Sequence, residues 1–537
     1  MMNKLKINTS VLFCFITALQ LTLLIYFGYK KEGFFIDELW SYNLSNSYFL
    51  PFIGDAKNYF NRWIPGTFFL DSLEVLPGQG FSYNSVFSSQ AADVHPPLYY
   101  YLLHTICSIL PESFSKWQGL FLNFIIFIGS QTLLWKISNI LLKRSTLSLL
   151  AITFYGFSIS GLSTYLMIRM YGLLTFFVLL ITYLILLFDK KNKDHLTLCV
   201  GICFAYFCGF LTQYYFVIFA FWISAFYCIL LIFIHAYKKL IIFVLSSTSG
   251  IILSLVYFRP ALLHIFSGYR GNEAFANLSN TGILEKLNFY FRAELLQSPF
   301  WLLFGSCALF VICIIFRKLI TLKYDVLHSR LAITVTFNPN ISFSISYNWI
   351  LLGLISLACL FSYLLVIKLS SIRDTRYTLF VIPLLDVIAI AIFYQLAVLI
   401  LRNSKSVYIV LILFFIIFEI ISLRTSHIKW IQKGEQAAIE CVNSSPGSKT
   451  LYFDKNEEWW PAMAFLNFFA NSKEVKMLNA TDINSVKLAQ DEKRLFVIVS
   501  RFCNKKDVLD YFRNKLNFTK VKVIYRDFHG QVYELSR

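Results

Sequence analysis

Five short stretches of the sequence carry side chains able to do chemistry. Asp37-Glu38, in Phe34-Phe35-Ile36-Asp37-Glu38-Leu39-Trp40, sets two carboxylates directly after an apolar run. Two carboxylates so placed, at the outer membrane edge, read as functional groups. Equally, acidic residues at the start of an interfacial helix favour its dipole. Asp93-Val94-His95-Pro96-Pro97-Leu98-Tyr99-Tyr100-Tyr101 puts Asp93 and an imidazole ahead of a Pro-Pro pair. Such a pair suits the first turn of a helix, where no backbone donor is lost. His95 then either caps that turn or points from a fixed helix start toward a cavity. Arg169-Met170-Tyr171 and Arg373-Asp374-Thr375-Arg376-Tyr377 set guanidinium beside phenol at the ends of apolar runs. The ordinary reading of an Arg there is snorkelling. Gln213-Tyr214-Tyr215 is the weakest signal, since tyrosines are common in an interfacial belt.

What must position these groups is a membrane. The chain of 537 residues is 57% hydrophobic and 15% charged, with mean hydropathy +0.62. A soluble domain of that length has nowhere to bury so much apolar surface. A span needs roughly 20 mostly apolar residues, and the sequence offers such runs at Ser10–Tyr29, Trp117–Trp135, Leu147–Tyr165, Tyr171–Phe188, Leu196–Leu211, Phe216–Ala236, Leu240–Phe258, Phe300–Phe316, Ile350–Ile367, Thr378–Ile400 and Val407–Leu423. Lys4 and Lys6 precede the first run and no small-residue cleavage site follows it, so it reads as an uncleaved span. The net charge of +18 does not point to nucleic acid, because the Lys and Arg residues cluster between apolar runs.

With a cytoplasmic N-terminus, the inner loops hold Lys136, Lys143 and Arg144; Lys190, Lys191 and Lys193; Lys238 and Lys239; Arg317, Lys318 and Lys323; and Arg402 with Lys405. Each is basic, as the positive-inside rule requires. The opposite side carries a long first loop, about 30–116, with amphipathic pieces at Leu39–Leu50 and Leu98–Leu110, and a second loop at about 259–298 with Leu284–Leu296. The Leu98–Leu110 piece is too short to span comfortably and reads as an interfacial helix. From 424 onward, helical patterns (Lys433–Val442, Trp459–Phe469, Lys506–Leu516) mix with β-like runs (Thr450–Phe453, Leu495–Ser500, Val521–Tyr525, Gln531–Leu535), as in a small α/β domain. The expected fold is therefore mainly α. It is a polytopic transmembrane helix bundle of about eleven spans over residues 1–423, with a large outer first loop and a small C-terminal extracytoplasmic α/β domain over 424–537. Most cysteines lie in apolar runs as small hydrophobes; Cys441 and Cys503 lie in the polar region, where pairing is open. Parity then places acidic, imidazole and guanidinium groups together at the outer ends of different spans. Polar residues gathered on one side of a bundle usually line a site.

The Asp37-Glu38 pair after the first span, DVHPPLYYYLLH at 93–104, IRMYGLL at 168–174 and RYTLFVIP at 376–383 together resemble the membrane glycosyltransferases of the GT-C fold. The nearest pattern is the protein O-mannosyltransferase and lipid A aminoarabinose transferase group, in its bacterial branch. The resemblance implies an integral membrane enzyme, a hexosyl or pentosyl transferase that moves a sugar from a polyprenyl-phosphate carrier to an acceptor glycan, lipid or protein on the outer side of the cell membrane. Asp37 matches the family's catalytic carboxylate and would act as general base with inversion, Glu38 orienting the loop or binding the acceptor. His95, Arg169, Tyr171, Arg376 and Tyr377 would hold the donor phosphate, with Asp93, Gln213, Tyr214 and Arg373 as weaker substrate contacts. No cofactor is implied, while a divalent cation stays open because oligosaccharyltransferases of this architecture use one. The implied partners are the lipid-linked sugar, its acceptor and membrane lipid, with no nucleic acid. One departure matters. Aminoarabinose transferases carry Lys before Pro-Pro, whereas this chain has His95, as mannosyltransferases do, so donor and acceptor are not carried over. Two other classes fit the same chain: a transporter or flippase of a lipid-linked glycan, and a membrane-anchored protein that binds through its C-terminal domain.

Overall fold

The computed structural model describes residues 8–49, 56–190, 195–279, 282–295, 301–308, 320–327, 330–337, 342–401, 404–425, 428–445, 449–455, 459–488 and 492–537. Among these, eight helices are long and apolar enough to cross a membrane: Thr9–Lys30, Lys116–Leu142, Tyr171–Lys190, Tyr215–Phe233, Tyr237–Tyr257, Tyr347–Leu369, Leu379–Val398 and Lys405–Ser422. The other three apolar runs differ from plain spans for visible reasons. Leu147–Tyr165 is a bent pair, Ser145–Phe157 and Ile159–Leu166, which meet at 58°. The break falls at Ser158, whose Oγ accepts from Gly161 N–H at 3.0 Å and so caps the second helix. Leu196–Leu211 forms a helix of 16 residues, His195–Phe210, about 24 Å long at 1.5 Å per residue. Most of Phe300–Phe316 lies outside the described residues, as do Lys191, Lys193, Arg317, Lys318 and Arg402 of the basic loops.

The chain forms two compact units. The first comprises Met1–Ile25, Val94–Leu98 and Asn123–Lys429. Its helices differ in how many of their residues pack inside: in the most apolar stretch, 83% are buried in Leu379–Val398 and 72% in Tyr171–Lys190, against 22% in Tyr237–Tyr257. The first two therefore run through the middle of the bundle, and the last turns its Ile and Leu side chains outward, as a lipid-facing helix does. This unit also holds an antiparallel sheet, β2 (Ile320–Leu327), β3 (Arg330–Phe337) and β4 (Ser342–Ile345), in a stretch read from the sequence as a basic loop.

The second unit comprises Tyr26–Asp93, Tyr99–Leu122 and Trp430–Arg537, so it joins most of the first large loop to the C-terminal α/β region. A six-stranded sheet organises it. The strands are β1 (Trp63–Pro65), β5 (Lys449–Asp454), β6 (Glu474–Asn479), β7 (Arg494–Ser500), β8 (Lys520–Arg526) and β9 (Gly530–Ser536), in the order β1-β6-β5-β7-β9-β8. β5 pairs in parallel with β6 and β7; the remaining pairs are antiparallel. The central strands are buried on both faces, as parallel strands are. Leu451, Phe453, Val497 and Val499 pack with Phe512 and Phe518 on one side, and Tyr452 meets Phe465 and Phe469 on the other. The four β-like runs seen in the sequence are β5, β7, β8 and β9. β6 and β1 were not foreseen. β6 carries Glu474 and Lys476, which break its apolar pattern, and β1 has three residues. Trp459–Phe469, read as one helix, is two short ones, Trp459–Met463 and Leu466–Ala470.

β1 is held where Gly66 meets the backbone after Leu466–Ala470: Gly66 N–H donates to Lys473 O at 3.0 Å, and a Cβ on Gly66 would lie 1.8 Å from Ser472 O. A backbone atom cannot swing aside as a side chain can. Gly66→Ala should therefore cost about 2 kcal/mol or more of stability. Gly353→Ala, in the middle of Tyr347–Leu369 with nothing within 4 Å, should be neutral or stabilise by up to about 1 kcal/mol. Thermal unfolding of the two variants in detergent checks the contrast.

Candidate active site

The residues singled out in the sequence divide between the units. His95, Arg169, Tyr171, Gln213, Tyr214, Arg373, Arg376 and Tyr377 belong to the first, and Asp37, Glu38 and Asp93 to the second.

In the first unit, a broken span and a short turn bring the arginine motifs together. The helix Ile159–Leu166 ends with Asn123 Nδ2 donating to Tyr165 O at 3.1 Å and to Met167 O at 2.7 Å. Those bonds satisfy carbonyls that a helix end leaves over and fix the three residues before Tyr171, where the next helix begins. Arg169 is 3% exposed within this turn. Arg376 lies on the 3₁₀ turn Thr375–Tyr377. Asp374 caps that turn, its Oδ1 accepting from Arg376 N–H at 3.1 Å while Oδ2 stands 3.5 Å from Arg376 Nε. The Arg376 guanidinium lies 5.1 Å from the Tyr377 ring centre and 6.0 Å from that of Tyr171, and its Nη2 donates to Tyr377 Oη at 3.2 Å. Tyr215 closes edge-on against Tyr377 at 5.7 Å. Segments 169–171, 213–215 and 374–378 thus meet around one buried guanidinium, whose charge the ring faces stabilise.

The other predicted residues of this unit make contacts of their own. Tyr214 Oη bonds His264 Nδ1 at 2.9 Å, and Gln213 Oε1 accepts from the neighbouring Tyr214 N–H. Arg373 makes an exposed ion pair with Glu285 at 2.8 Å; such pairs contribute little. His95 lies in Val94–Leu98, where Leu98 N–H donates to Leu211 O at 2.9 Å, tying the Pro-Pro segment to the corner that carries Gln213.

Two groups that the sequence did not mark complete the first-unit cluster. Glu294 is 1% exposed and accepts from Thr378 Oγ1 and, at 2.6 Å, from Tyr363 Oη. Burial pushes its carboxyl up to about 7, against the pull of those two donors and Lys429. Lys429 donates from Nζ to Thr375 Oγ1, and its backbone N–H donates to Ser163 Oγ at 3.1 Å. As a single lysine after the last apolar run, it carried no signal in the sequence. Within two of the apolar runs, Asp386 and Glu419 line a small cavity with Ser158 and Phe154.

In the second unit, Asp37 is the second residue of the helix Ile36–Asn46, half-buried in its first turn. Glu38 follows with no exposed surface. One Glu38 oxygen accepts from Lys31 Nζ at 2.8 Å and from Phe35 N–H at 2.7 Å, so the carboxylate both pairs a buried lysine and caps the helix. Lys31 Nζ also donates to Trp430 O, and Lys116 Nζ donates to Lys31 O. Glu435 stands behind the same loop. It accepts from Asn467 Nδ2 at 2.8 Å, from Phe34 N–H at 3.4 Å and from Tyr525 Oη at 3.4 Å. A Cβ at Gly33 would fall 2.1 Å from its carboxyl, so only glycine admits this approach. Asp93 terminates Tyr83–Ala92 as its C-cap. Cys441 and Cys503 are both free thiols. Among the described residues, no three His, Cys, Asp or Glu side chains gather as a metal site.

No family model matches the sequence, and no curated protein matches it. Among solved structures, the chain is similar to ArnT from Cupriavidus metallidurans bound to undecaprenyl phosphate, at 11% identity and a TM-score of 0.51, with 97% of each chain covered. It is also similar to apo ArnT from the same organism, at 10% identity and a TM-score of 0.41, covering 87% of this chain and 95% of that one. The likeness to the first, over nearly the full length of both chains, is one of fold. This chain therefore has the fold of ArnT, a member of the group that its sequence motifs resemble.

Burial raises the Glu435 carboxyl from 4.5 to about 8. The folded protein therefore binds that proton more tightly than the unfolded chain does. The resulting stabilisation is full below about pH 4.5 and is lost as pH rises through about 8. Melting temperature in detergent should fall between about pH 5 and about pH 9, and Glu435→Gln should flatten part of that slope. An unchanged slope in the variant would refute the assignment.

Proposed function

We propose that this chain is a membrane glycosyltransferase that moves a sugar from a polyprenyl-phosphate carrier to an acceptor hydroxyl. The observation that carries the reading is the buried Arg376 among Tyr171, Tyr215 and Tyr377, a preformed set of cation and phenol donors suited to a lipid phosphate. Arg presents a planar fork to phosphate oxygens that Lys does not. The fold is that of a protein solved with undecaprenyl phosphate bound, which supports the same class of donor here. Eleven apolar runs, if all span, set the N-terminus and the C-terminal domain on opposite sides, with the basic loops cytoplasmic; the site then faces away from the cytoplasm.

The chemistry balances with one carboxylate. Asp37 takes the acceptor O–H proton while that oxygen forms a bond to the anomeric carbon. The carbon–oxygen bond to the lipid phosphate breaks on the opposite face, and its electron pair goes to the phosphate. The product is inverted, as in single displacements at glycosides generally. The phosphate leaves as a stable anion and needs charge stabilisation rather than a proton, which is the part assigned to Arg376, Arg169 and His95. Glu38, committed to Lys31, sets the helix that carries Asp37. No step requires a cofactor.

One observation favours a second reading. Asp386 and Glu419, both buried within spans beside Ser158, are the kind of intramembrane acids that transporters use. Movement of a lipid-linked glycan across reconstituted vesicles, without formation of a glycosidic bond, would establish that reading.

Asp37→Asn should lower kcat by about 10²–10⁴-fold while insertion and melting temperature stay as in the parent. Arg376→Lys keeps the charge but loses the fork, and should raise KM for the lipid donor more than it lowers kcat. Wild-type turnover in Asp37→Asn would overturn the mechanism.

A further inference from the structure

The Arg376 cluster holds a second, unassigned cation, Lys429. It arrives from the linker after Ser404–Thr425, not from any of the motifs that supply the arginines. Two anchors fix it in the first unit. Its N–H donates to Ser163 on the helix that leads to Arg169, and its ammonium donates to Thr375, next to Arg376. The groups that face the ammonium are Asp374 and Glu294, which attract it, and Arg376, which repels it. Burial, the largest influence, holds the ammonium below the usual lysine range. Asp374 is already engaged with Arg376 at 3.5 Å, and Glu294 already accepts from Thr378 and Tyr363. Two neighbouring cations that repel each other gain from a shared anion, because a phosphate relieves that repulsion.

We infer that Lys429 is a donor-phosphate ligand, acting with Arg376 on the phosphate of the lipid carrier. This rests on the glycosyltransferase reading and names a residue of its donor site. The ammonium moves from Thr375 Oγ1 to a phosphate oxygen when the lipid binds, and it then stabilises the charge that grows on that oxygen as the sugar leaves. A purely structural lysine would hold the linker equally well with or without lipid.

The test uses the full-length protein in detergent with undecaprenyl phosphate as the probe. Binding is measured across pH for the parent and for Lys429→Met, Lys429→Arg and Arg376→Ala. The inference expects Lys429→Met to weaken binding by about 10-fold or more, at a cost of about 1.4 kcal/mol per tenfold. It expects Lys429→Arg to bind like the parent at neutral pH and to keep binding at alkaline pH, where the parent loses affinity as the lysine deprotonates. Parental binding by Lys429→Met, together with weakened binding by Arg376→Ala, overturns the role of Lys429 and leaves the donor site standing. Parental binding by both overturns the donor-site reading itself. If Lys429→Met fails to fold, the alkaline limb of Lys429→Arg decides: a limb that coincides with the parent's refutes the inference.

Discussion

Lys31 and Glu38 face each other at 2.8 Å with no exposed surface on either side chain. A buried ion pair is a poor source of net stability, but removing one partner strands a charge and costs about 3–5 kcal/mol. Several groups of the second unit satisfy this pair. Glu38 spends one oxygen on Lys31 and on the N–H of Phe35, which fixes where the helix Ile36–Asn46 begins. Lys31 spends further bonding on the carbonyl of Trp430, and its own carbonyl receives Lys116. Three segments far apart in sequence, 31–38, 116 and 430–435, are thereby knotted together. The direction of the first turn, and with it the position of Asp37, follows from that knot.

The same economy governs the first unit. The span bends at Ser158, whose Oγ caps the second helix, and Asn123 takes up carbonyls where that helix ends ahead of Arg169. Arg376 is oriented by Asp374 through a backbone and a side-chain contact, and by the faces of Tyr171 and Tyr377. A guanidinium held this way needs little rearrangement when an anion arrives, which is how preorganised electrostatics contribute to catalysis.

Spans were legible because roughly 20 residues without charge have few other uses, and Asp37, Arg169 and Arg376 stood out as polar groups at the edges of such runs. The fold class followed from the same pattern, and the GT-C likeness from the motifs around it. The meeting of Tyr171, Tyr215 and Tyr377 around Arg376 could not be read, since it depends on how helices pack and not on their order. Glu38 was expected to orient the loop or bind the acceptor; the next residue along a helix points about 100° away from Asp37, and here that direction leads toward Lys31. Lys429 and Glu294 were hidden for a different reason: a single charge in a linker or on an amphipathic helix is ordinarily solvated. β1 was too short to show a period at all, although it links the first large loop to the sheet.

The central claim is that a lipid-linked sugar is the substrate and that Asp37 is the base acting on its acceptor. Mass spectrometry of the lipid retained by the purified protein, after incubation with an extract of its own membranes, tests this most directly. The account predicts that Asp37→Asn retains a polyprenyl phosphate bearing one sugar, while the wild type, supplied with acceptor in the same extract, retains the bare polyprenyl phosphate. Retention of ordinary phospholipids alone by both proteins would contradict it.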